Sequence, residues 1–406
     1  MKSKNSKIIN IIGLGYIGLP TAALLASKNF LVNGIDIKKD IVEKINKGKI
    51  HINEPGLSSL VNKAIYKKNL KVFDKVIPGD IFIICVPTPI YFGKNPKPNV
   101  EYVLNAARSI SSQVKPGDCI ILESTSPVGT TEKFSKVLKE EGVDIKKIFI
   151  AYCPERVLPG NILNELVQND RIVGGMSAEG TKKIANFYRS FVKGKVYETD
   201  AKTAEMTKLV ENSFRDVNIA FANELSVLCA NKKINVSDVI TLANKHPRVN
   251  ILKPGIGVGG HCIAVDPWFI VAEDKSNSNL IRIGRKINDN KTKWVINKIR
   301  SAAKILKIKK RKIKIACLGL SYKPDTDDIR NSPAREISNN LSKNGYKVII
   351  VEPNIKKNSL PKLTSLDKAI KQADIIAILV KHKEFIKPKI KKKLINLNCL
   401  DFCDAL

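Results

Sequence analysis

The sequence predicts an α/β protein with two doubly wound parallel sheets joined by a central helical region. Three observations carry that expectation. Short β-branched runs ending in loops with glycine or proline recur through residues 8–152 and again through 313–379. Between them, residues 203–231 hold a helical pattern with no glycine or proline. The first run leads directly into Gly13, Gly15 and Gly18, in the string GLGYIG. The expected domains are residues 1–200, 201–307 and 308–406.

At 406 residues the chain exceeds a single ordinary core, and its apolar fraction of 43% is that of a globular protein. Seventy basic residues against 38 acidic ones give a formal charge of +32, which taken alone points to nucleic acid or an anionic surface. The excess is mostly lysine, however, dispersed through the chain together with abundant Ile and Asn, as an A/T-rich genome imposes through its codons. The basic runs 307–314 and 387–393 lack interleaved aromatics on which bases stack. No nucleic-acid partner is therefore expected, but anionic small ligands are. Eight cysteines form no CxxC pair, which is reduced, cytoplasmic usage, and the nearest two, Cys399 and Cys403, have no histidine partners, so no metal is expected. The lysine-rich start imitates a secretory leader, but Gly13, Gly15, Gly18 and Pro20 break its apolar run. No stretch of 18 apolar residues occurs, so no membrane span is expected.

Residues 8–12 read as a buried parallel strand, 19–27 as a helix and 30–35 as a second strand ending at Asp36. Strand, GxGxxG, helix, strand and an acid 18 residues beyond the last glycine form a complete dinucleotide fingerprint, that of a Rossmann-like domain. The glycines permit the tight turn and close pyrophosphate approach, and the helix N-terminus offers free N–H groups. Asp36 would accept hydrogen bonds from the adenosine ribose and repel a 2′-phosphate, which favours NAD over NADP.

Strand-like runs 80–86 and 118–122 end in loops bearing Thr88 and Thr125. Loops at the carboxyl ends of parallel strands contact ligands, so both are candidate cofactor neighbours, although threonine is also an ordinary turn former. A further strand, 148–152, ends where Glu155 and Arg156 emerge together.

The start of the helix over 203–231 holds Glu205, Lys208, Glu211, Asn212 and Arg215. Lys208 and Asn212 share a face, as do Glu211 and Arg215. A lysine and an amide on one face stabilise a developing oxyanion, while the same pattern also suits a solvated face with salt bridges. A helix of this length commonly bridges domains and packs against a partner, so a homodimer is expected.

Residues 254–268 contain four glycines, then His261, Cys262 and Asp266. Such a loop lets a ligand approach closely and offers a thiol, which is either a nucleophile or a buried cysteine; one His and one Cys are too few for a closed zinc site. After a helical stretch, 279–307, a strand over 313–318 runs into Gly319, with one glycine where the first domain has three. A helix from Pro333 and strands 347–351 and 375–379 complete a second βαβ domain, suited to the nucleotide part of a substrate, with Lys323 and Arg330 as phosphate-facing candidates.

Residues 152–160 (YCPERVLPG), 203–225 (TAEMTKLVENSFRDVNIAFANEL), 246–252 (HPRVNIL) and 257–268 (GVGGHCIAVDPW) together resemble the UDP-glucose/GDP-mannose dehydrogenase family, and the resemblance extends over 13–380. It implies four-electron oxidation of a UDP-sugar C6 alcohol to a carboxylate with two NAD. Cys262 would be the nucleophile that passes through a thiohemiacetal and a thioester. Lys208 and Asn212 would handle the C6 oxygen, Asp266 with Thr125 would position a proton-accepting water, and Glu155 would assist thioester hydrolysis. Arg156, Val157, Arg215, His246, Arg248, Gly259 and Lys323 match positions around the UDP-sugar, alongside Lys208 and Asn212. Tyr16, Ile17, Asp36, Thr88, Thr125 and Arg330 match cofactor contacts, which moves Arg330 from the substrate's phosphate to NAD. Residues 394–406 depart from the family's closing strand, Asp and glycine turn, with Asp401 the candidate Asp. The competing expectation of another class is a two-electron β-hydroxyacid dehydrogenase, which needs neither Cys262 nor a second βαβ domain.

Overall fold

The computed structural model describes residues 7–91, 93, 96–306, 311–355, 363–397 and 399–406, so the first half of the basic run 307–314 and the last residue of the expected helix 279–307 lie outside the described residues. The chain divides into two compact units, Met1–Val210 and Glu211–Leu406. The helix Ala201–Lys232 contains the point of division.

In the first unit the strands are β1 (Ile8–Ile12), β2 (Leu31–Ile35), β3 (Leu70–Phe73), β4 (Ile81–Ile84), the hairpin pair β5 (Ile90–Tyr91) and β6 (Lys97–Pro98), β7 (Cys119–Leu122), β8 (Phe149–Tyr152), β9 (Arg171–Gly175) and β10 (Val196–Asp200). Eight of them form one sheet in the order β10-β9-β8-β7-β4-β1-β2-β3. Its successive isoleucines are buried on both faces. Ile9, Ile11, Ile83 and Ile121 pack into one layer with the helix Gly18–Ser27, whereas Ile12, Ile84, Leu122 and Tyr152 pack into the other with the helices Glu101–Ser111 and Thr130–Glu140. Each such side chain contributes about 1.5–3 kcal/mol on burial, which is why the runs read as continuous rather than alternating.

Register decides what the sheet presents. Ile12 pairs with Ile84, Ile84 with Leu122 and Leu122 with Tyr152. The loops that follow these four residues therefore leave from one edge, and they carry the glycine turn, Thr88, Thr125 and Glu155. The chain order reverses between β1 and β4, the switch point where open α/β sheets bind ligands.

The sheet is not parallel throughout. β9 runs antiparallel to β8, and β10 follows β9 in parallel. Residues 153–170 stay at the carboxyl edge instead of crossing back, so β9 begins where β8 ended. Tyr152 pairs with Gly174. Continuing that register sets Arg171 opposite Glu155.

The second unit has a four-stranded parallel sheet in the order β12-β11-β13-β14, from β11 (Lys314–Leu318), β12 (Lys347–Val351), β13 (Ile375–Ile378) and β14 (Cys399–Asp401). The atypical C-terminus thus still closes the sheet with a strand. Asp401 then accepts from the backbone N–H groups of Cys403, Ala405 and Leu406, doing with a carboxylate what a glycine turn does with conformation.

Candidate active site

In the first unit the glycine turn leaves β1 and enters the helix Gly18–Ser27, whose first turn carries no acidic side chain. At Gly18 a methyl group would sit 1.8 Å from the carbonyl oxygen of Gly13, so only glycine lets the helix start this close to the strand. At Gly15 nothing lies within 4 Å, which leaves an open cradle over the helix N-terminus, and Tyr16 and Ile17 flank it half-buried. Asp36, at the end of β2, accepts from the N–H of Leu14 at 3.0 Å and of Lys38 at 3.0 Å, which fixes the carboxylate beside the turn. A free cradle, a helix N-terminus and a placed acid fit a dinucleotide.

Thr88 and Thr125, 37 residues apart, are brought together: the Thr88 hydroxyl donates to the Thr125 carbonyl at 2.5 Å. Glu155 is buried, and its Oε1 accepts from the N–H of Arg156 at 2.6 Å. The Lys208 ammonium, also buried, donates to the Glu155 carbonyl oxygen at 2.6 Å. That bond draws the helix Ala201–Lys232 and the β8 loop together and satisfies a cation where burial is costly. Arg156 donates to the carbonyl of Asp170 at 3.2 Å, and Val157 packs against the core. Two carboxylates that sequence reasoning missed secure this loop. Glu54 accepts from the N–H of Gly160 at 2.8 Å and of Ile162 at 2.7 Å, and Glu165 accepts from Leu158 at 2.7 Å. Acids spent on backbone N–H groups leave no signature beyond their burial.

In the second unit the loop 254–268 runs into the helix Asp266–Glu273. It is pinned by Asn223, which accepts from the N–H of Gly255 at 2.8 Å, and by Thr292, which donates to the carbonyl of Ile256 at 2.9 Å. Gly259 has no room for a side chain: a methyl group would meet the Asn331 carbonyl oxygen at 2.7 Å and Pro333 at 2.6 Å. The carbonyl of Cys262 accepts from the N–H of Val265 and of Asp266, closing a turn that presents the thiol outward. Of the eight cysteines Cys262 alone is exposed. Burial pushes other thiols up, Cys317 to about 11 and Cys153 to about 12, where they are inert as nucleophiles at neutral pH.

Asp266, the first residue of its helix, is buried, and its Oδ2 accepts from the Asn212 amide at 2.5 Å. Asn212 lies one turn beyond Lys208 on the same helix, so the two share its face. Arg215 is exposed on that helix, and His246 and Arg248 are exposed together, with the Arg248 N–H donating to the His246 ring at 3.3 Å. Arg330 makes an ion pair with Asp328 at 2.6 Å, and the Lys323 ammonium lies 5.9 Å from the centre of the Tyr322 ring. His261 is held below the usual histidine range by desolvation first and by Arg330 second, so it stands beside Cys262 as a neutral imidazole at pH 7. Asp325, His382 and Glu384 bring possible ligand atoms within 4.8 Å of one another, but both ring nitrogens of His382 are engaged, Nδ1 by the N–H of Asp325 and Nε2 by Glu352.

Residues 7–192 match the NAD binding domain of the UDP-glucose/GDP-mannose dehydrogenase family, 202–290 its central domain and 316–404 its UDP binding domain. The chain is 51% identical over 399 residues to the UDP-N-acetyl-D-mannosamine dehydrogenase of Campylobacter jejuni, covering 94% of this chain and 97% of that one. It is 47% identical over 397 residues to an NDP-N-acetyl-D-galactosaminuronic acid dehydrogenase of Ralstonia nicotianae, covering 94% and 92% respectively. Among solved structures, the UDP-D-ManNAc dehydrogenase of Pyrococcus horikoshii superposes with a TM-score of 0.90 at 39% identity, covering 98% of this chain and 96% of that one. The chain belongs to the UDP-glucose/GDP-mannose dehydrogenase family. Its glycine cradle lies within the stretch that matches that family's NAD binding domain. Among the described residues no helix is long and apolar enough to cross a membrane.

Proposed function

We propose that the protein oxidises UDP-N-acetyl-D-mannosamine at C6 to UDP-N-acetyl-D-mannosaminuronate, in support of surface polysaccharide synthesis. The observation that carries the reading is Cys262: one outward thiol among eight cysteines, set in a pinned glycine loop four residues before a buried carboxylate. The names of the relatives supply the sugar.

Tyr16, Ile17, Asp36, Thr88, Thr125 and Arg330 would hold NAD, which when bound would supply the acceptor for the hydride that leaves C6 at each of two oxidations, one NAD for each. Lys208 and Asn212 stabilise negative charge on the C6 oxygen, and Asp266 with Thr125 positions the water that takes its proton. A second hydride leaves only from a tetrahedral carbon. The Cys262 thiolate provides one by adding to the aldehyde, and the thiohemiacetal so formed loses hydride to become a thioester. Water then attacks the acyl carbon with Glu155 as proton acceptor; the C–S bond breaks as the C–O bond forms, leaving thiolate and carboxylic acid. Arg156, Val157, Arg215, His246, Arg248, Gly259 and Lys323 bind the UDP-sugar. The active assembly is a homodimer formed through the helix Ala201–Lys232.

The test is the NADH yield per UDP-N-acetyl-D-mannosamine, with mass analysis of the product. Two NADH and a uronic acid are expected, and Cys262→Ala should lose carboxylate formation by at least about a thousandfold. One NADH per sugar would restore the two-electron alternative. The Ralstonia relative favours a second sugar reading, so UDP-N-acetylgalactosamine belongs in the comparison beside UDP-N-acetylglucosamine and UDP-glucose.

A further inference from the structure

Behind the loop that carries Glu155, the first unit buries one guanidinium between two carboxylates. Arg171, at the start of β9, is 2% exposed, and its Nη1 lies 2.7 Å from Oε2 of Glu155 and 4.0 Å from Oε1 of Glu123. Glu123, at the end of β7, is 3% exposed. Its Oε1 accepts from the Tyr188 hydroxyl at 2.7 Å and its Oε2 from the Cys85 thiol at 3.4 Å. The Arg171 guanidinium stacks 5.3 Å from the centre of the Tyr188 ring. A single acid would neutralise Arg171, and burying a second is expensive. The packing alone does not call for it.

We propose that Glu123 is a reserve counter-ion for Arg171, and that the two are positioning residues which let Glu155 take up a proton during thioester hydrolysis; this rests on the role proposed above for Glu155. While Glu155 is ionised it shares Arg171 with Glu123. When water attacks the acyl carbon, its proton passes to Glu155, the C–O bond forms and the C–S bond releases the Cys262 thiolate. Glu155 is then neutral, and Arg171 remains paired through Glu123. Without Glu123 the same transfer would strand a buried cation, so Glu155 would be held ionised and become a weak base. Desolvation raises Glu123 to about 6, which makes the cluster responsive near neutrality. The other groups facing it, Cys85, Cys153 and Tyr188, are pushed up by burial and stay neutral.

Rapid-mixing measurement of NADH on the full chain, with intact-mass detection of acylated Cys262, tests this. In Glu123→Gln, two NADH should form at wild-type rates, followed by hydrolysis at least about tenfold slower, with thioester accumulating, KM unchanged and the pH-dependent limb near 6 flattened. Tyr188→Phe removes a donor to the Glu123 carboxylate and should instead move that limb to higher pH. Wild-type hydrolysis and pH profile in Glu123→Gln would overturn the proposal, as would equal slowing of both hydride steps. If that variant does not fold, Tyr188→Phe decides, and an unmoved limb counts against the idea. A wild-type enzyme that forms no thioester would overturn the role of Glu155 and this proposal with it; one that does, beside unaffected variants, sinks only the reserve counter-ion.

Discussion

Lys291 is a buried cation with a hydroxyl for company: its ammonium donates to Ser226 at 2.5 Å and sits 4.0 Å from the centre of the Trp294 ring. Desolvation first, and Lys298 second, lower it from 10.5 to about 8. At pH 7 it is charged in both folded and unfolded chains, so the folded state bears the whole penalty. Between pH 8 and 10.5 the unfolded chain binds the proton and the folded chain does not, so stability rises with pH through that window. Lys291→Met should therefore raise stability at pH 7 by on the order of 1–3 kcal/mol, and the advantage should shrink toward pH 10.5. Denaturant midpoints at the two pH values check it. Individual chemical groups varied in how legible they were. Asp36 and Cys262 announce themselves because their neighbours in sequence are also their neighbours in function. Glu123 and Arg171, 48 positions apart, look like any acid ending a strand and any arginine starting one. Only register makes them a pair.

Along the helix Ala201–Lys232, the exposed apolar residues are Met206, Val210, Phe214, Phe221 and Leu228. Their spacings of four, four, seven and seven residues keep one face of a helix apolar over six turns, more than a solitary helix would leave to water. Phe214→Asp with Phe221→Asp should convert the proposed dimer to monomer at micromolar concentration, read by light scattering after size exclusion, while the circular dichroism stays unchanged. A wild-type monomer would remove the dimer from the mechanism. The length of this helix was readable from its missing glycine and proline, and the strands from their β-branched runs. The antiparallel β9 was not, because its hydrophobic run, short and glycine-rich, is the same whichever way it points. Likewise β14 follows no expected pattern; its place comes from pairing with β13 and from the Asp401 cap.

At the scale of the molecule, a formal charge of +32 is carried mostly by lysines dispersed along the sequence. Non-specific binding to a polyanion should then be weak and purely ionic. Retention on heparin at about 50 mM salt should be lost by about 200 mM, with NADH formation unaffected over the same range. A salt-resistant DNA complex would reopen the nucleic-acid reading. The two compact units each hold a sheet with a switch point, parallel throughout in the second and with β9 antiparallel in the first, and the residues of the proposed mechanism are divided between them: glycine cradle, Glu155 and Lys208 in the first, Asn212, Cys262 and Asp266 in the second.

By itself the sequence determined the α/β class, the dinucleotide turn, the long helix and the thiol loop, because each is written in consecutive residues whose propensity and spacing act locally. The tertiary structure alone decided which acids are spent on backbone N–H groups and which face a buried arginine. Glu54 and Glu165 hold a loop, Asp401 closes a sheet, and Glu123 shares one arginine with Glu155. A carboxylate's role depends on its desolvation and on the charge it faces, and both are set by strands distant in sequence.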